Sequence, residues 1–150
     1  MERTYSQKVA RVFELICYVL LIPAIISLIY PAIAVFGGLL QGRAEVFFVG
    51  LIPFGIAGVG VILLIGYHKL AENELDENLF STLWIATAIY NFLLLLPWLL
   101  AASAYLQSPE KLTDDGNWIG FLILLSIISG YITAIYFSLK VYSLERFIRI

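Results

Sequence analysis

The sequence predicts an all-α integral membrane protein, a compact antiparallel four-transmembrane-helix bundle whose first helix is kinked near Pro23. Two observations carry that prediction. The chain is 61% hydrophobic and only 13% charged, with a mean hydropathy of +0.94, whereas soluble domains run near half apolar and about a quarter charged. The apolar residues also gather into four runs, at roughly 12–36, 46–66, 79–105 and 118–141, each meeting the about 20 residues that cross the hydrocarbon of a bilayer. Within each run apolar side chains continue all around instead of alternating with period two, which argues for helices and against a barrel. The 150 residues leave room for this single transmembrane domain and no folded soluble domain beside it.

The first span follows Arg3, Lys8 and Arg11. Its Ala32-Ile33-Ala34 resembles a signal-peptidase site, but the apolar run is long for a signal peptide, so it is read as a span. Pro23 lies in its middle and Pro31 nearer its end. Each proline frees a carbonyl and bends the helix, and the mid-span Pro23 is where a kink is expected. Cys17, the one cysteine, reads as a small hydrophobe, and without a second there is no intrachain disulfide, dithiol chemistry or cysteine cluster.

Glu14 is the only acid well inside a span, and Lys140 sits at the corresponding depth of the fourth span. A Glu14–Lys140 pair would satisfy both groups and join the first helix to the last, with Arg11, three residues away, as local competitor. The other reading makes Glu14 a proton or cation site. On this one glutamate the chain resembles the small multidrug-resistance exporters; it is longer than they are, has sizeable loops and shares no further motif.

The second span, LIPFGIAGVGVILLIG, is rich in small residues, with Gly55, Gly58, Ile62 and Gly66 along one face and Pro53 near its start. It lacks the Lys-Ser/Thr ending of a phosphate loop. Close helix packing, within the chain or to a partner, is the physical reading.

The link that follows, HKLAENELDENLF, sets Glu72, Glu74, Asp76 and Glu77 against Lys69. It reads as a solvated loop over 67–78 with an Asp or Asn capping the third span, or as a docking surface at 72–77 for a basic partner. His68 is placed at its edge, and as the one histidine it excludes bis-histidine haem and multi-histidine zinc or iron sites within one chain.

The third span contains LWIATAIYNFLLLLPWLL, with Asn91 near its centre and Thr87 one turn before it. An unpaired amide in lipid costs several kcal/mol, so Asn91 is expected either to hydrogen-bond to another helix or to line a pore or polar ligand site. The expected partner is a small, polar stripe on the fourth span formed by Ser126, Ser129, Gly130, Thr133 and Lys140. Between these spans the loop at 106–117 carries Pro109 as a breaker and an Asp114-Asp115-Gly116-Asn117 turn before Trp118. It lacks the oxygen ligands of an EF-hand loop, and Trp118 suits the headgroup belt.

Seven of the nine Lys and Arg lie at the two termini and in the middle link, against Arg43 and Lys111 in the other two loops. The positive-inside rule then places both termini in the cytoplasm, in what is expected to be the plasma membrane of a prokaryote. No basic patch suits a nucleic acid, no matched pair of intramembrane carboxylates suits hydrolysis or group transfer, and no re-entrant Gly-rich carbonyl ladder suits a selectivity filter. The sequence therefore points to a non-enzymatic structural or accessory subunit without cofactor, packed through the small-residue faces of its second and fourth helices against other membrane subunits, copies of itself and lipids. The alternative is a small homo-oligomeric ion channel or transporter with Glu14 and Asn91 as functional polar groups. A membrane anchor holding a cytoplasmic partner by its acidic link is a third reading.

Overall fold

The computed structural model describes residues 5–75, 77–107 and 117–148, with side chains at 5–75, 79–107 and 117–144. Its helices are α1 (Tyr5–Ser27), α2 (Ile29–Leu40), α3 (Ala44–Ala71), α4 (Glu77–Gln107) and α5 (Asn117–Ile148). Taking α1 and α2 as one interrupted span, four segments are long and apolar enough to cross a membrane: Tyr5–Leu40, Ala44–Ala71, Leu79–Gln107 and Asn117–Leu144. The fold is thus all-α, with four long apolar segments, consistent with an integral membrane protein of four spans. The chain divides after Leu75 into two compact units.

In the first unit α1 and α2 together run antiparallel to α3. Pro23 sits inside a continuous α1, and the helix is interrupted at Leu28, five residues beyond the proline where the kink was expected. The reason lies in Pro31, which has no N–H for the carbonyl of Ser27 four residues earlier and whose ring crowds that carbonyl. The Leu28 N–H turns back to the Ile25 carbonyl at 3.2 Å, and the Ser27 hydroxyl takes the Ala24 carbonyl at 2.7 Å. The regular ladder resumes with Ala32 N–H to Leu28 at 3.0 Å.

The turn into α3 is a Schellman closure. Gly42 has φ +65°, its N–H reaches the Leu39 carbonyl at 3.3 Å, and Arg43 N–H reaches Gly38 at 2.9 Å. Two glycines let the backbones meet there. A Cβ on Gly38 would lie 2.8 Å from the backbone nitrogen of Phe47, and one on Gly50 would lie 2.8 Å from Val35 Cγ2. At its other end α3 closes the same way with Asn73 at φ 64°, its N–H on the Leu70 carbonyl at 3.1 Å and Glu74 N–H on Lys69 at 2.8 Å. Asn tolerates this left-handed conformation better than other non-glycine residues.

Because α3 continues through Ala71 and α4 begins at Glu77, the link expected over 67–78 is shorter, and His68 stands on the last turn of a helix instead of at a loop edge. The proposed capping by Asp76, the Pro109 to Gly116 turn and Lys111 lie outside the described residues.

The second unit pairs α4 with α5. Leu95 and Ala102 of α4 pack with Leu124 and Ile128 of α5, flanked by Ala101, Tyr105, Phe121, Tyr131 and Ile135. Positions 124, 128, 131 and 135 alternate steps of four and three, the spacing by which two long helices keep one seam in contact. The Tyr105 and Phe121 rings close the seam near the connecting loop, 5.8 Å apart. Both Pro97 in α4 and Pro53 in α3 are carried inside unbroken helices.

Candidate functional site

Polar side chains in these helices meet two different fates. One group clusters where α1 meets the end of α3. Gln7, Arg11 and Glu14 recur at intervals of four and three, so they share one face of α1, and His68 on the last turn of α3 is followed one turn later by Glu72 at its C-cap. Glu14 is 2% exposed, and both its oxygens are engaged: Oε2 accepts from Arg11 Nη1 at 2.8 Å and Oε1 pairs with His68 Nδ1 at 2.8 Å. An ionised carboxylate only accepts, so the proton of that second bond belongs to Nδ1 of the half-exposed ring.

Arg11 also reaches Glu72 Oε1 at 3.3 Å, and Gln7 Nε2 donates to Asn73 Oδ1 at 3.0 Å. Beside them the rings of Phe13 and Tyr67 lie 5.4 Å apart, and Ala10, Leu63, Tyr67, Leu70 and Ala71 are buried. A buried carboxylate is stable when its lone pairs are met by cations and hydrogen bonds. Here α1 supplies both the carboxylate and its neutralising arginine, and α3 supplies the histidine, so the second carboxylate oxygen has its partner only when α1 and α3 lie together.

The pair expected for Glu14 was Lys140, with Arg11 as local competitor. Within the first unit the carboxylate is taken up by Arg11 and by His68, and within the second the Lys140 ammonium lies 5.8 Å from the centroid of the Tyr136 ring, one turn before it. His68 and Glu72 were read as loop residues and so were missed as partners. Counting equal numbers of residues outward from the turn at Gly42 brings Glu14 opposite the last turn of α3, and that signal would have found both.

The second group turns back on its own helices. Asn91 Nδ2 donates to the Thr87 carbonyl at 2.8 Å, and Thr87 Oγ1, fully buried, donates to Leu83 at 2.8 Å. Ser126 donates to Leu122 at 2.9 Å, Thr133 to Ser129 at 2.8 Å and Ser138 to Ala134 at 2.7 Å. Asn91 is therefore held by its own helix, where a bond to the fourth span was expected. The same holds for the stripe meant to receive it. Ser126, Ser129, Gly130, Thr133 and Lys140 are all exposed, and the α4–α5 seam runs instead through Leu124, Ile128, Tyr131 and Ile135. A hydroxyl already bonded to the carbonyl four residues back has little to gain from a neighbour, so larger apolar side chains choose the seam.

The expected packing glycines also lie apart from the close contacts. A Cβ on Gly55, Gly58 or Gly130 would meet no heavy atom within 4 Å, and Gly66 is half-buried. Gly38 and Gly50, which mark the close approaches, were not singled out. Among the described residues no three of His, Cys, Asp and Glu come together as a metal would need. No protein-family model matches the chain, and neither the curated proteins nor the solved structures give a match.

Proposed function

We infer that the chain is a non-enzymatic structural or accessory subunit of a membrane protein complex, lying with both termini and the 72–76 link in the cytoplasm. The observation that carries the reading is the uncovered state of Gly55 and Gly58 on α3 and Gly130 on α5. Small residues on an apolar helix let a second backbone approach closely, and among the described residues of the same unit no atom lies within 4 Å of where their Cβ would be. The self-satisfied hydroxyls and amide of α4 and α5 support the same reading, since such faces suit an apolar neighbour, protein or lipid.

The test is native mass spectrometry of the complex extracted gently from its own membrane, with all accompanying chains identified. A stoichiometric assembly with other subunits is expected, and Gly58→Leu is expected to release them while the purified chain keeps its helical circular dichroism. A closed homo-oligomer that conducts ions, with conduction abolished by Glu14→Gln, would overturn the reading in favour of a channel.

A further inference from the structure

The first hairpin is fastened at its two ends and open between them. At the turn, Gly38 and Gly50 bring α2 against the start of α3. At the far end, Gln7, Arg11 and Glu14 are joined to Asn73, Glu72 and His68. From residue 18 to residue 27 every position of α1 is exposed, and in the middle of α3 a Cβ on Gly55 or Gly58 would meet no heavy atom within 4 Å. The open stretch ends at Leu28, where the helical ladder is broken and Pro31 cannot mend it.

We propose that α1 is a hinged arm that pivots at Leu28 and is latched to α3 by Glu14, set between Arg11 and His68. A pivot needs a place where main-chain hydrogen bonds are few, and bends in helices occur at such places. A latch needs bonds that can be lost together. Glu14 and Arg11 supply that, because they travel together on α1 while His68, the partner of Glu14 Oε1, and Glu72, the second partner of Arg11, stay with α3, so both cross-helix bonds go when the arm leaves. Released, the arm uncovers the face of α3 from Leu63 to Ala71 while the α2–α3 turn stays closed. This device rests on the first hairpin alone and stands apart from the accessory-subunit reading.

The lever is long enough to measure. About 20 residues separate Lys8 from Leu28, so the arm spans about 30 Å and a turn of about 10° moves its tip by about 5 Å. Nitroxide labels at the exposed Lys8 and Lys69, in a Cys17→Ala background reconstituted in nanodiscs, report the latch by pulsed electron resonance. Labels at the exposed Phe36 and Phe48 report the α2–α3 end.

The unmutated latch is expected to give one narrow distance at the first pair. Glu14→Ala, and separately His68→Leu, are expected to add a population longer by about 5 Å or more, with the second pair unchanged. Pro31→Ala, which restores a donor for Ser27, is expected to shrink that population. An unchanged first pair in both variants would overturn the latch. Broadening of both pairs together would show release without a pivot, and a long population indifferent to Pro31→Ala would place any pivot elsewhere; either result overturns the proposal.

Discussion

Glycines 38 and 55 are both helical, yet alanine should act on them in opposite directions. Alanine is favoured over glycine in a helix by about 1 kcal/mol. At Gly55 the new methyl would meet no heavy atom within 4 Å, so that gain is expected to appear nearly undiminished. At Gly38 it would lie 2.8 Å from the Phe47 nitrogen, 3.2 Å from the Arg43 carbonyl oxygen and 3.2 Å from Phe47 Cα. All three are backbone atoms next to a tight turn. Ordinary contact begins at 3.4 Å, so Phe47 would have to retreat by about 0.6 Å, and overpacking of this kind costs about 1–3 kcal/mol. The net expectation is a loss of about 0–2 kcal/mol for Gly38→Ala, against a gain of about 0.5–1 kcal/mol for Gly55→Ala. Equilibrium unfolding of the purified chain in mixed micelles, titrated with SDS, reads both. Equal free energies for the two variants would refute the claim that α2 and α3 meet at Gly38.

Other substitutions test the remaining assignments by the same unfolding measurement. Leu124→Ala and Ile128→Ala should each lose about 2–4 kcal/mol by opening a cavity in the α4–α5 seam, while Ser126→Ala and Thr133→Ala on the exposed stripe should stay within about 0.5 kcal/mol; equal effects would mean the wrong face was assigned. Asn91→Leu should change stability by no more than about 1 kcal/mol, because the amide it removes serves its own helix. A larger loss would reveal a partner on another helix. Asn73→Ala should cost about 1–2 kcal/mol, since alanine resists the left-handed conformation, and Asn73→Gly should recover most of it; if alanine were harmless, the Schellman closure of α3 would not be contributing.

The spans were legible because hydropathy and run length answer directly to the bilayer, and four helices occupy those runs. Their ends were less legible: Tyr67 to Ala71 are charged or aromatic in part, yet helical propensity and the Asn73 closure carry α3 past the apolar run. Proline positions marked the first helix as interrupted, but the place of the break depends on the carbonyl four residues before Pro31, not on the proline nearest mid-span. Glu14 stood out by composition. Arg11 was legible beside it as a local competitor, whereas His68 was not, because it belongs to the three-dimensional pairing of an antiparallel hairpin. The polar stripe on α5 was visible as a pattern, but it is not the face that packs on α4. Sequence spacing shows which residues share a face, whereas shape decides which face is buried, and Leu124, Ile128 and Ile135 fill the seam better than serines.

The self-bonded polar groups of α4 and α5 bear on how the protein is made. Each of these helices can leave the insertion machinery with Asn91, Thr87, Ser126, Thr133 and Ser138 already bonded to its own backbone, then find its neighbour within the lipid, as stable single helices associate in a second stage. The first span is different. Arg11 is at hand when Glu14 is synthesised, but His68 follows 54 residues later. Until α3 arrives, Glu14 has to stay near the membrane surface or in a polar lateral gate, since an ionised carboxylate is costly in lipid. Insertion of the first hairpin is therefore a joint event of two helices, while the second can enter one helix at a time.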